Sequence, residues 1–97
     1  METKRYLQAF GRRVRRRRMA CGLLQKDVAQ RLDWPPGHIS RLEKGEFLSV
    51  RLVKLDALAT ALSTTVDYLL GRSKDAGPIP EDETDRSQQE EFAFSEV

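Results

Sequence analysis

Few residues of this 97-residue chain could carry covalent chemistry. His38 is its one histidine and Cys21 its one thiol. No base is placed to activate a serine, so nucleophilic and general acid–base catalysis lack their parts and no enzyme is expected. A glycine-rich phosphate loop is absent, and paired acids occur only in the run after Pro80, where nothing would fix their separation. Cys21 alone can neither close an internal disulfide nor supply the four ligands of a structural zinc site, so it reads as a small buried hydrophobe. No metal or cofactor is implied. What the chain has in quantity is arginine: Arg12, Arg13 and Arg15 to Arg18 lie close together, with Lys26, Arg41 and Lys44 further on. Guanidinium and ammonium groups in such numbers recognise anions, and their sum makes a field that attracts polyanions.

The net charge of +2 conceals this. Divided after Lys74, the chain carries +9 in its first part and -7 in the remainder. The texture changes at the same place. Residues up to Gly71 are apolar-periodic, whereas Gly77-Pro78-Ile79-Pro80 and Glu81-Asp82-Glu83-Thr84-Asp85 hold breakers and like charges with little to bury. A domain over residues 6–71 is therefore expected, followed by a linker and acidic tail over 72–97, with the boundary between Gly71 and Pro78. No apolar run is long enough to span a bilayer, and the first residues lead into arginines, not into a secretory signal; a cytoplasmic location is expected.

Five helices must position the basic groups. Leu7, Phe10, Val14 and Cys21 share one face of a helix over 6–20, with Arg12, Arg13 and Arg15 to Arg17 assigned to the other side, and Gly22 stops it. Val28, Ala29 and Leu32 form the stripe of a second helix over about 24–32. A third is expected to start at Pro36, whose fixed φ suits a first turn, and to close at Gly45, with Ile39 and Leu42 inward. Ser49 is the expected cap of a fourth, with Leu52, Leu55, Leu58, Ala59 and Leu62 inward. Thr65 caps a short fifth through Val66, Leu69 and Leu70, ending at Gly71. The class is all-α, without strands.

Residues 25–44 hold the most specific spacing. Two helices separated by so few residues must cross steeply, which demands a small residue where they approach and a turn residue that tolerates positive φ. Ala29 and Asp33 meet those demands, while Val28, Leu32, Trp34, Ile39 and Leu42 occupy the apolar positions. Together with Gly22-Leu23-x-Gln25, Ile39-Ser40-Arg41-Leu42-Glu43-x-Gly45, Ala59-x-Ala61-Leu62 and Val66-Asp67-Tyr68-Leu69-Leu70-Gly71, this segment resembles the helix-turn-helix of the lambda-repressor-like, XRE-type transcriptional regulators, relatives of phage repressor and Cro proteins. The resemblance covers about Tyr6 to Gly71.

That resemblance implies a third helix in the major groove of double-stranded DNA and a homodimer on a pseudo-palindromic operator. It places Pro36, Gly37, His38, Ser40 and Arg41 towards base edges, and Gln25 at a phosphate together with the amides of its helix end. Lys26, Lys44, Arg12 and Arg13 are further phosphate candidates. Arg18 and Glu43 match a partly buried ion pair tying the first helix to the third. Pro36-Gly37 removes side chains from two reading positions, so Arg41 carries most of the hydrogen-bonded readout, bidentate to guanine O6 and N7. Pro35 stands where the family prefers a serine or threonine cap, the Glu46 to Ser49 loop is one residue longer than its commonest pattern, and Ser63 replaces its usual glycine. Phe47 and Leu48 either bury locally or form a dimer contact with the surface around Val66 and Tyr68.

Function is expected to be transcriptional regulation, as a repressor. The competing reading is an antitoxin or protein-binding adaptor whose tail, with Phe92, Phe94 and Val97, engages a basic protein partner while DNA binding serves autoregulation. A third possibility is that the tail folds back on the basic domain and competes with DNA.

Overall fold

A computed structural model describes residues 2–46 and 50–79. Five helices form around one core: α1 (Thr3–Ala20), α2 (Gln25–Leu32), α3 (His38–Glu43), α4 (Leu52–Ala61) and α5 (Val66–Leu70). No strand occurs among the described residues. Phe10 and Val14 of α1, Val28 and Leu32 of α2, Ile39 and Leu42 of α3, Leu58 and Leu62 around the end of α4 and Leu69 of α5 are all buried together. The expected stripes therefore meet in a single cluster, which is the main favourable contribution in a domain this small.

The helix ends follow local chemistry. At α1, Gly22 takes a φ of 71° and Leu23 N–H returns to the Arg18 carbonyl at 3.0 Å. Asp33 ends α2 in the left-handed region, φ 55° and ψ 46°, and Trp34 N–H closes on the Ala29 carbonyl at 2.9 Å. Thr65 caps α5 by accepting from Tyr68 N–H at 3.0 Å, and Gly71 stops that helix at φ 83°.

Several expectations are corrected. α1 begins at Thr3, so Lys4 and Arg5 continue the helix. α3 begins at His38, and Pro36 is not its first residue. His38 N–H bonds the Pro35 carbonyl at 3.2 Å and Gly37 has φ 102°, ψ -19°, so Pro35 to His38 make a type II turn with proline and glycine at its two central positions. Such a turn brings the chain into α3 without a serine or threonine cap.

α4 begins at Leu52 with Arg51 as its N-cap, not at the expected cap Ser49, which lies outside the described residues together with Phe47 and Leu48. Leu52 is 78% exposed, not inward, and Val53 is exposed beside it, whereas Lys54 of the same turn bonds the Leu32 carbonyl and Leu55 packs against the core.

Arg17 is the largest departure. Expected on the solvent side of α1, it is only 4% exposed and lies on the same face as Phe10 and Val14. Its guanidinium donates to the carbonyls of Leu62 (2.8 Å), Ser63 (2.8 Å), Gly77 (3.2 Å) and Pro78 (2.6 Å). A buried cation is tolerable because those carbonyls replace its hydration. The same bonds fasten residues 77–78, within the segment expected as linker, to α1, and Ala76 packs against the core beside them.

Candidate nucleic-acid interface

α2, the Asp33–Gly37 turn and α3 form the positioning unit. Its inner side is apolar: Val28, Ala29, Leu32, Ile39 and Leu42 are buried, and the half-buried Trp34 packs over them. Residues 37, 41 and 44 recur at helical spacing on the other side of α3. There Pro36, Gly37, Arg41 and Lys44 are exposed, while Ser40 is half-buried. His38 is also half-buried and tilts against Trp34, with ring centroids 5.7 Å apart. The turn thus presents bare backbone and one apolar ring, and hydrogen-bonding reach on this surface falls to Arg41 and Lys44.

Two close approaches and one buried network fix α3 against α1. A Cβ built on Gly11 would stand 2.5 Å from the Leu42 carbonyl oxygen and 2.6 Å from that of Glu43, so only glycine admits the end of α3 here. Gly45, at φ 78°, is pressed against Gln8, where a Cβ would stand 2.8 Å from Cγ and 2.9 Å from the backbone N and Cα. Glu43 accepts from Arg18 Nε at 2.6 Å and Arg18 Nη2 at 3.2 Å, and Arg18 Nη1 donates to the Leu23 carbonyl at 2.8 Å. Gln25 Nε2 donates to the same carboxylate at 3.0 Å. One carboxylate thereby joins the end of α1, the start of α2 and the end of α3.

The network has a consequence for anion binding. It ties Gln25 to the end of α3 that carries Lys44, with the second amide hydrogen of Gln25 left to donate elsewhere, and Lys26 next to it in α2 is exposed. At the start of α2, Asp27 accepts from Leu24 N–H at 2.8 Å. The amides of Gln25 and Lys26 have no preceding carbonyl within the helix to bond and suit a phosphate oxygen.

Arg12 and Arg13 are not brought to this group. At about 100° per residue they leave α1 some 120° and 140° around the axis from Arg18. Arg13 is half-buried, donates to the Leu69 carbonyl at 3.2 Å and lies over Gly71, whereas Arg12 is exposed on the side of α1 opposite the core. Of the dimer-contact candidates among the described residues, Val66 is half-buried and Tyr68 is 9% exposed within its own core. Sequence reasoning passed over Glu46, whose carboxylate lies 3.8 Å from Arg41 Nε at an exposed position. It also passed over Gly11. A glycine inside a helix signals a close approach, since it is otherwise unfavourable there.

A short all-helical unit in which α2 and α3 join through a tight turn, with an apolar inner side and an exposed basic outer side, has the make-up of a helix-turn-helix domain. The family model described as a helix-turn-helix domain matches residues 9–69, and the chain belongs to that family, in keeping with its XRE-type resemblance. Comparison with curated proteins gave no match. Among the described residues no helix is long and apolar enough to cross a membrane, and no cluster of three or more His, Cys, Asp or Glu could hold a metal.

Proposed function

We propose that the protein is a sequence-specific regulator of transcription that binds double-stranded DNA through α3 in the major groove. The observation that supports this reading is the outer side of α3, where the exposed Arg41 and Lys44 stand opposite the buried Ile39 and Leu42, while the Glu43 network ties Gln25 to the end of the same helix. In the proposed complex Arg41 reads a guanine edge, with Ser40 and His38 at its margins and Pro36 and Gly37 in apolar or backbone contact. Gln25, Lys26 and Lys44 hold phosphates on either side and set the register. Arg12 and Arg13 act through their long-range field, because their positions on α1 separate them from this surface. Glu46 competes for Arg41 in the free protein and yields to the base edge on binding.

A repressor acting in the cytoplasm as a homodimer on a pseudo-palindromic operator, without enzymatic activity, is the form of this function we favour. The exposed Leu52 and Val53 offer apolar area for a second copy. Selection of bound duplexes from a random pool tests the reading. Two half-sites centred about 10 bp apart, or a multiple of that, are expected. A pool showing no enrichment over many rounds would overturn it.

A further inference from the structure

The outer face of α1 is basic and has no part in the contacts described so far. Arg12, Arg15, Arg16 and Met19 line a shallow groove directly opposite the core, and all four are exposed. Among the described residues none of the three arginines has an acidic partner, in contrast with Arg18 and Arg41. Arg12 and Arg16 stand one turn apart with like charge, an arrangement that destabilises a helix until an anion relieves it.

The path of the chain brings a candidate anion to this face. Arg17 holds the carbonyls of Gly77 and Pro78, so the described chain leaves its domain at Ile79 beside α1. The sequence then reads Pro80-Glu81-Asp82-Glu83-Thr84-Asp85, with Phe92 and Phe94 further on. Arg16 lies about 100° around the helix from Arg17, with the short side chain of Ala20 between them. That arc is within reach of the few residues from Ile79 to Asp85 at about 3.3 Å each.

Spacing agrees as well. Alternate residues of an extended segment repeat at about 6.6 Å, and successive turns of a helix bring residues four apart to about 6 Å along the axis. Two acids two residues apart, such as Glu81 and Glu83, can therefore match the interval from Arg16 to Arg12, and Met19 offers an apolar spot at the end of the row nearest Arg17.

We propose that the outer face of α1 is a docking surface for this chain's own acidic segment, residues 81–85. Attachment at Gly77–Pro78 makes the encounter intramolecular, at an effective concentration that a free acidic peptide does not match. The inference is independent of the DNA-binding reading, and its test contains no DNA.

The full-length protein, labelled with nitrogen-15, is compared with its Glu81→Gln, Asp82→Asn, Glu83→Gln, Asp85→Asn variant. The backbone amide and arginine Nε–H signals of residues 12–19 are followed from about 20 mM to about 500 mM salt, a range over which screening shortens several-fold. In the unsubstituted protein the signals of Arg12, Arg15, Arg16 and Met19 should move with salt, identically at every protein concentration. In the variant they should already lie, at low salt, where the unsubstituted protein places them at high salt. Coincident spectra of the two proteins at low salt would overturn the proposal. A salt response that grows with protein concentration would also overturn it, assigning the face to the acidic segment of another copy.

Discussion

Arg18 and Glu43 meet as a buried fork, with Nε 2.6 Å from one carboxylate oxygen and Nη2 3.2 Å from the other. Their side chains are only 11% and 4% exposed, so neither charge has water to fall back on. Replacing either residue by alanine should destabilise the fold by about 3–5 kcal/mol, because the survivor is left buried and unpaired. An Arg18→Met, Glu43→Leu double variant should recover much of that loss. Urea unfolding followed by circular dichroism measures both quantities, and single variants within about 0.5 kcal/mol of the parent would show the pair to be energetically idle.

Arg17 should not tolerate lysine. Its planar fork reaches carbonyls of the α4–α5 loop and of residues 77–78 together, a geometry a single ammonium cannot reproduce. Arg17→Lys is expected to cost about 3 kcal/mol, whereas Arg16→Lys, one position away on the exposed face, should stay within about 0.5 kcal/mol. Similar melting temperatures for the two variants would contradict the buried role of Arg17.

Gly11→Ala tests the approach of α1 to α3. The added methyl group meets backbone, not a yielding side chain, and α3 must shift to admit it. A loss of about 2–3 kcal/mol is expected, with changed amide signals along α3. Stability equal to or above the parent's, as a helix interior without that contact would give, would show that the helices lie further apart.

Ser63 occupies the left-handed region at φ 54°. Ser63→Gly removes strain of about 1 kcal/mol, partly offset by the greater freedom of glycine in the unfolded chain. A rise of a few degrees in Tm is expected, at roughly 4–8 °C per kcal/mol in a domain of this size. A fall in Tm would mean that Ser63 is not strained.

Much of this organisation was legible in the residues. Helical periodicity identified all five helices, Asp33 announced the turn, and Thr65 and Gly71 marked the ends of α5. The position of Pro36 was misread because proline favours a helix start in isolation, whereas Pro35-Pro36-Gly37-His38 as a unit favours a type II turn. Arg17 was hidden among its neighbours. Its register, three residues after Val14 and seven after Phe10, was visible, but the carbonyls that make its burial tolerable come from residues at least 45 positions away. The Arg18–Glu43 pair was expected from the family resemblance, but the part of Gln25 in it depends on how α2 lies against α3, which spacing alone does not specify.

DNA recognition through α3 stands or falls on Arg41. Titrating a selected duplex and a random duplex with the parent and with Arg41→Ala, by fluorescence anisotropy at fixed salt, separates base reading from phosphate attraction. Affinity for the selected duplex should fall by about 1–3 kcal/mol, with random-duplex affinity nearly unchanged. Undiminished discrimination between the two duplexes by Arg41→Ala would contradict readout by this side chain.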